Sequence, residues 1–510
     1  MKLHNDTDWA SYAKITDALK QRRKGATVAD VVTVTALPLN TVKELVSRAA
    51  DEYSARLEVT ESGEILYSFP RGFTSRYRGF KVGLQKFTRK FIKGTGIAAS
   101  WLFKAWIAIM LVGYFAIFML IALAALALSV AASSSNSNNR SRGGGLYLTS
   151  GILNFIIRIW FYSELTKSVD RRYYGDIQSG RSRPKGRPLY KAIFSFVFGE
   201  TDPNREAGTA EKKAVIAYIQ ANRGVISLPE YMALTGQGPA EAEAGIMACC
   251  SEFGGSPEAT DDGTILYRFD ELLKRQDKTD RSFAEASAPL RKLKKFSVNE
   301  KKMNTWFGII NSVNLLFGGY FLYQSTATRI VEDAVTGDLI VQASAAYSYL
   351  YKVAYVLLTA ITDNPLPILT VGLGVVPLAF SILFWLIPAL RFNREKNENE
   401  DIKLGNLRKT GFQKIWSMIR GIRNRDIDSA VPECRPKKLI AAQDKIIKEM
   451  GSYSIPEVEV NGEGETLYHF NELEREKAAL AKYRSEINVN DSDLGKIVFD
   501  SGASSKMEIN

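Results

Sequence analysis

Histidine and cysteine are scarce: the chain has only His4 and His469 and three cysteines in 510 residues. Cys249 and Cys250 are adjacent and Cys434 is distant, which makes neither a disulfide framework nor a four-ligand metal set. Zinc, haem and histidine general-base chemistry lose their usual ligand or base. Gly94-Thr-Gly96 and Gly143-Gly-Gly145 lack a following Lys-Ser or Lys-Thr, so neither is a phosphate loop. No catalytic, cofactor-binding or metal-binding residue emerges, and the expectation is a protein that is not an enzyme and carries no cofactor. The start, Met1 to Trp9, lacks an apolar core followed by a small-residue cleavage site. No removed signal peptide is expected, and the first hydrophobic span acts as the insertion signal.

One phrase occurs three times, as Gly63-Glu-Ile-Leu-Tyr-Ser-Phe69, Gly263-Thr-Ile-Leu-Tyr-Arg-Phe269 and Gly464-Glu-Thr-Leu-Tyr-His-Phe470. The copies are about two hundred residues apart, which predicts a soluble module repeated around pairs of membrane helices. Its signature is Gly63, Tyr67 and Phe69, then Gly263, Tyr267 and Phe269, then Gly464, Tyr468 and Phe470. In the first copy Trp9, Tyr12, Ile15 and Leu19 form a helical stripe, a short helix follows near Val28 to Val32, and Asn40 caps a third helix bearing Val42, Leu45, Val46 and Ala49. A hairpin turning at Gly63 closes the unit. Three helices and a two-stranded hairpin is the winged-helix arrangement. The second copy repeats this order, with Ser227 as a helix cap; the third retains a helix around Pro436 to Met450 and the hairpin.

Ala105 to Ala132 carries no charge and exceeds the roughly 30 Å hydrocarbon core in length. Gly143 to Tyr162 is uncharged up to Arg158, which sits near a helix end where it would snorkel. Asn304 to Thr328 and Asn364 to Leu390 form a second pair. The segment 339–362 is apolar but holds Lys352 at its middle, and is read as an interfacial or re-entrant helix. Arg158 and Lys352 are thus the intramembrane or interfacial cations. Lysine and arginine collect before the first span, after the second, before the third, where Arg291, Lys292, Lys294, Lys295, Lys301 and Lys302 stand, and after the fourth, where Arg391, Arg394, Lys396, Lys403, Arg408 and Lys409 follow. By the positive-inside rule all modules and both termini face the cytoplasm, in a bacterial-type inner (plasma) membrane.

The net charge of +12 concentrates beside the apolar runs. Phe80, Leu84, Phe87 and Phe91 make an apolar stripe on a basic amphipathic helix. Arg76, Arg78, Lys81, Lys86, Arg89, Lys90 and Lys93 are its candidate contacts to anionic lipid headgroups. The third helices suit DNA poorly: Glu44, Asp51 and Glu52 offset Lys43 and Arg48, and the second copy has Glu241 and Glu243 without a basic residue between Ala240 and Cys250.

Leu189-Tyr-Lys-Ala-Ile-Phe-Ser-Phe-Val-Phe-Gly-Glu-Thr-Asp-Pro-Asn204, followed by Gly224-Val-Ile-Ser-Leu-Pro-Glu230, resembles an uncharacterised membrane-protein family of cyanobacteria and plastids over the middle third of the chain. The resemblance implies a membrane hairpin followed by a soluble module. Plant members carry an iron–sulfur label, but this chain lacks the cysteine set for a cluster.

The resulting fold class is a multi-pass α-helical membrane protein with repeated α+β winged-helix-like soluble modules. The order is module 1 at 1–70, a basic amphipathic juxtamembrane helix at 71–96, a transmembrane hairpin at 97–166 and a basic interfacial linker at 167–204. Module 2 follows at 205–280, then a basic linker at 281–303, a second hairpin at 304–390, a basic interfacial linker at 391–425, module 3 at 426–480 and a polar tail at 481–510. The functional expectation is a membrane scaffold or adaptor whose modules bind a cytoplasmic protein partner or one another, with self-association open. A transporter or channel component is the alternative, motivated by the paired hairpins and the proline-interrupted last span. A membrane-tethered DNA-binding regulator is third, nucleic acid being a poor partner for these helices.

Overall fold

The computed structural model describes residues 6–22, 25–74, 76, 80–134, 188–276, 289–327, 329–332, 339–342, 349–488 and 493–502. In chain order the helices are α1 (Asp6–Gln21), α2 (Val28–Thr35), α3 (Leu39–Glu52), α4 (Phe80–Ser134), α5 (Leu189–Phe198), α6 (Ala207–Ala221), α7 (Leu228–Thr235), α8 (Pro239–Phe253), α9 (Lys301–Ala327), α10 (Tyr349–Thr359), α11 (Val376–Ser417), α12 (Leu439–Gly451) and α13 (Asn471–Glu486). The strands are β1 (Arg56–Thr60), β2 (Ile65–Ser68), β3 (Val225–Ser227), β4 (Ser256–Ala259), β5 (Ile265–Arg268), β6 (Arg329–Glu332), β7 (Leu339–Gln342), β8 (Glu457–Val460), β9 (Thr466–His469) and β10 (Ile497–Asp500). Two units result, one of Met1–Lys86, Asp202–Lys294 and Asn397–Asn510, the other of Phe87–Thr201 and Lys295–Lys396.

The expected multi-pass class is corrected to a largely helical protein with small sheets. Among the described residues two helices, Ala99–Ala131 and Ile368–Ser417, are long and apolar enough to cross a membrane, with mean hydropathy 2.7 and 2.2 in their most apolar stretches. The expected span at 143–162, with Arg158, lies outside the described residues. The expected span Asn304 to Thr328 is helical as α9, but Asn304, Asn311, Asn314 and Gln324 interrupt its apolar character. The segment 339–362 is not one helix. Its beginning is β7, paired antiparallel with β6 from Arg329↔Gln342 to Glu332↔Leu339. The 11 residues of α10 rise only about 16 Å, too short to cross.

In the first unit one local device is used twice. Thr27 and Ser227 are N-caps of α2 and α7; each hydroxyl accepts an amide from the residue three on, whose carboxylate accepts the cap's own amide (Thr27 N to Asp30 3.0 Å, Ser227 N to Glu230 3.2 Å). α3 starts behind Pro38, so Asn40, the expected cap, lies inside its first turn. Asp30 and Glu230 are 1% and 3% exposed, so each charge needs compensation. Asp30 pairs with Arg22 at 2.8 Å and accepts the Gln276 amide at 3.1 Å. Glu230 receives both terminal nitrogens of Arg484 on α13 (3.0 and 2.7 Å) and the Tyr218 hydroxyl (2.7 Å). Arg484 also donates to the Val225 carbonyl at 2.7 Å.

These ties draw the three soluble regions, expected as repeated modules, into one body. A single core joins Ile15, Val32 and Val46 to Ile216, Ile246 and Phe253, and to Phe412, Ile446 and Phe470. Between the first two regions Gln220 Nε2 donates to Thr33 Oγ1 at 2.8 Å, and Glu271 binds Lys43 (3.1 Å) and Lys274 (2.8 Å). The basic residues expected to guard the apolar runs are partly engaged within this unit. Asn204, Asn399 and Asn406 each exchange two amide hydrogen bonds with the backbone of Lys292, Lys294 and Arg291 respectively, at 2.7–2.9 Å. An asparagine side chain here does what a neighbouring strand would do. Lys294 also pairs with Asp202 and Glu398, Lys403 with Glu400, and Lys409 with Glu211.

The second unit packs α5 against α4, α9 and α11, with Ile107, Leu111, Ile193, Phe196, Phe307 and Phe384 buried together. Arg391 is not a free flanking cation. Its guanidinium donates to the carbonyls of Ser195 (3.3 Å), Phe196 (3.0 Å) and Phe296 (2.7 Å), closing the C-terminal end of α5, and lies 4.3 Å from the Phe296 ring centre. Residues Ile368–Val375 are π-helical just before Pro377, which has no amide and would crowd the carbonyl four residues back in a regular helix. Gly318 and Gly374 let α9 meet this stretch at backbone distance: a Cβ would lie 2.9 Å from Leu378 N and 3.1 Å from Leu322 Cα, respectively. Asn314 Nδ2 donates to Leu111 O at 2.8 Å and Asn311 Nδ2 to Ser381 O at 3.0 Å, so the polar residues of α9 tie helices together.

Arg484→Ala leaves the Glu230 carboxylate buried without its cation and lowers the unfolding free energy by about 2–4 kcal/mol, read by urea denaturation; Arg484→Lys recovers only part, lacking the two-pronged fit. Hydrogen bonding from Lys274, joined by Lys43 and opposed by desolvation, holds the Glu271 carboxyl below its usual value near 4.5. A lowered acid stabilises above its unfolded value and loses that contribution as pH falls through the folded one. Glu271→Gln therefore melts lower than the parent at pH 7, by about 0.5–1 kcal/mol, and the difference closes when melting is repeated below pH 4.5.

Candidate functional site

The three hairpins of the first unit share one register. Leu57 faces Tyr67, Pro257 faces Tyr267, and Val458 faces Tyr468. Gly63, Gly263 and Gly464 all have φ +78°, a left-handed turn position that glycine adopts without strain. Phe69, Phe269 and Phe470 are 2%, 0% and 0% exposed, and Tyr67 and Tyr267 are buried. The repeated phrase therefore supplies the turn and the core side of each hairpin. One edge of every hairpin is closed in the same way, by Ala26 on Tyr67, by β3 at Ile226 on Tyr267, and by Ile422 on Tyr468.

The opposite edges differ. At β1 the edge is occupied by β10, giving the sheet order β10-β1-β2 with Glu58 facing Asp500 and Val59 facing Phe499. Arg56 reaches Asp500 with two nitrogens, Nε at 2.7 Å, and the Leu57 amide donates to Ser501 Oγ at 2.9 Å. The Glu61 amide donates to Lys496 O at 2.9 Å. Ile497, Val498 and Phe499 remain 54%, 69% and 52% exposed, so the added strand is held mainly by its ladder, the Arg56–Asp500 pair and hydrogen bonds at its ends, and buries little apolar surface.

At β4 the outward donor is missing, because Pro257 stands where Leu57 stands in β1 and has no amide. The Tyr483 hydroxyl of α13 also bonds Glu258 at that edge. At β8, among the described residues, no strand is paired on the outer side. All four residues are exposed, Val458 and Val460 at 60% and 64%, and nearby Ile455 is 81% exposed. Beside this hairpin runs a groove of about 650 Å³ lined by Asp444, Ile447, Lys448, Gly451 and Ser452 of α12 with its following residue, and by Pro456 and Tyr468. The charges facing outward on β8 are Glu457 and Glu459; Glu459 lies 3.3 Å from His469 Nε2, and His469 Nδ1 accepts the Gly421 amide.

The other residues singled out in sequence fall as follows. Arg76 is exposed and its amide donates to Glu52 O at 2.8 Å. Arg78 and Arg158 lie outside the described residues. Lys81, Lys86, Arg89, Lys90 and Lys93 are in α4, with side chains outside the description. Lys352 is exposed on α10 between buried Tyr351 and Val353. Cys249 and Cys250 are buried, and burial pushes the Cys250 thiol up to about 11, which marks core residues and not nucleophiles. Sequence reasoning missed β10, Arg484 and the asparagine ties; β10 alone had a signal, the alternation-free apolar run Ile497-Val-Phe499 ending in Asp500.

No family model matches the chain, and no solved structure matches it. An uncharacterised chloroplastic protein of Arabidopsis thaliana is similar, 24% identical over 407 residues that cover 78% of this chain and 71% of that protein.

If the Arg56–Asp500 pair seats β10, Arg56→Glu accelerates hydrogen exchange of the Val59 and Phe499 amides, which face each other across the ladder, at least tenfold, and adding Asp500→Arg to that variant restores the protection. Unchanged exchange in Arg56→Glu would assign the seating to the backbone ladder alone.

Proposed function

We propose that this protein is a non-enzymatic scaffold held at a membrane, whose first unit binds extended segments of other proteins along its hairpin edges. The observation that carries this reading is β10 on β1: a segment more than four hundred residues away in sequence is bound to a hairpin edge by main-chain pairing plus one ion pair. Strand addition is a general mode of peptide recognition. The apolar helices support the membrane setting, since only 28% and 33% of their most apolar stretches are buried and Leu102, Ile109 and Leu120 stand 60%, 68% and 65% exposed. The chloroplastic relative and the resemblance to proteins of cyanobacteria and plastids support a membrane of bacterial descent, and the lysines and arginines that the sequence gathers at 76–93 suit anionic lipid headgroups.

DNA fits less well. On α3, Lys43 is paired with Glu271, and the Arg48 guanidinium lies 5.4 Å from the Tyr12 ring centre; on α8 the exposed charges are acidic. A transporter or channel component has one observation in its favour: Asn311 Oδ1, Asn314 Oδ1 and Ser381 Oγ are buried in the second unit without a hydrogen-bond partner. These amides already bridge helices through their nitrogens, which gives their burial a structural role, so the scaffold reading accounts for more of the molecule.

Crosslinking in intact cells followed by mass spectrometry tests the scaffold. Partner peptides are expected at residues 455–460, and Val458→Pro, which copies the blunted edge of β4, removes those crosslinks while leaving the protein at normal abundance. A partner set identical in the parent and in Val458→Pro would count against docking at this edge.

A further inference from the structure

Resting on the scaffold reading, we propose that the β8 edge takes an extended segment running antiparallel to it, with a lysine or arginine opposite Glu459 and apolar residues on either side. The three hairpins share a register, so the occupied edge is a template for the open one. In β1, Arg56 faces Ser68; in β8, Glu457 faces His469 at the same place in the register. Glu58 and Glu459 also correspond, each facing the leucine of the repeated phrase.

On β1 the bound strand places Asp500 opposite Glu58, and the like charge is tolerated because Arg56, two residues along the same face, holds the Asp500 carboxylate. On β8 that arginine is replaced by Glu457. An acidic residue at the Asp500 position would face two carboxylates with no cation between them, which excludes the tail of a second copy of this chain as the favoured occupant. A basic residue there meets both Glu457 and Glu459. The outward main-chain groups are in place as well: the Leu57 amide donates outward to Ser501, so Val458, at the same register position, directs its amide outward. Val458 and Val460 present apolar side chains on the other face, beside the groove under α12.

Two synthetic peptides separate the alternatives, one with the sequence of residues 494–502 and one with that sequence carrying Asp500→Lys. With the full-length protein in detergent or nanodiscs, the Asp500→Lys peptide is expected to bind at least tenfold more tightly than the unaltered peptide, and to slow exchange of the Val458 and Val460 amides. The Glu457→Lys variant, altered at an exposed strand position, reverses the preference, and Val458→Pro abolishes binding of the basic peptide. Equal affinity for the two peptides, or protection confined to residues other than β8, overturns the proposal. Tighter binding of the unaltered peptide at β8 overturns it too and assigns the edge to the tail of a second copy. Persisting cellular crosslinks at 455–460 with no preference for the basic peptide would discard this ligand chemistry and keep the scaffold.

Discussion

Asp30 and Glu230 are the groups on which the arrangement of the first unit depends. Each stands three residues after the N-cap of a capping box and each is nearly inaccessible to water, so the local requirement of a helix start creates a buried charge. That charge is satisfied from elsewhere in the chain: Asp30 by Arg22 and the Gln276 amide, Glu230 by Arg484 and Tyr218. A carboxylate that costs little at a solvent-exposed helix start would cost several kcal/mol here if left unpaired. Helix initiation and the docking of distant segments are thereby one event, which explains why three regions with their own helices and hairpins share a single core.

The consequence reaches the sheet edges. The tyrosine and phenylalanine of each hairpin pack against the shared core, and the first strand lies on the far side of the hairpin from the closing segment, outermost at β4 and covered by β10 at β1. The second unit follows a different rule. Among its described polar residues, Asn311 and Asn314 bridge helices through their amides, and Arg391 closes the end of α5 by donating to main-chain carbonyls.

The repeated Gly, Tyr and Phe positions were legible because period-two alternation and an obligatory left-handed glycine leave a pattern in sequence. Ser227 was legible as a cap because a serine hydroxyl ahead of an apolar helical run is a favoured acceptor for the first free amides. The segment at 339–362 was misread because Leu339-Ile-Val-Gln342 is a short apolar run, and such a run fits a strand or a helix equally until its partner, Arg329-Ile-Val-Glu332, is known. The flanking cations were over-read: Arg391, Lys294 and Lys409 count as positive charge in sequence, but each is engaged by carbonyls or carboxylates of its own unit. β10 was missed because the short apolar run Ile497-Val-Phe499 does not say what it pairs with across most of the chain, and its Asp500 has meaning only beside Arg56.

An unpaired strand edge is a liability that proteins remove unless it is used. Here the same edge meets three fates in one molecule: β1 is covered by a strand of the chain itself, β4 loses its outward donor to Pro257 and gains Tyr483 at its side, and β8, among the described residues, stays bare with two valines exposed. Glu457 and Glu459 give β8 a partial guard, since two like charges repel an acidic or self-similar strand. They do not repel a basic one. A guard that works against the chain's own tail and favours the opposite charge acts as a filter on what may pair there, and it is the local charge pattern, with the backbone geometry held constant across the three hairpins, that sets the difference.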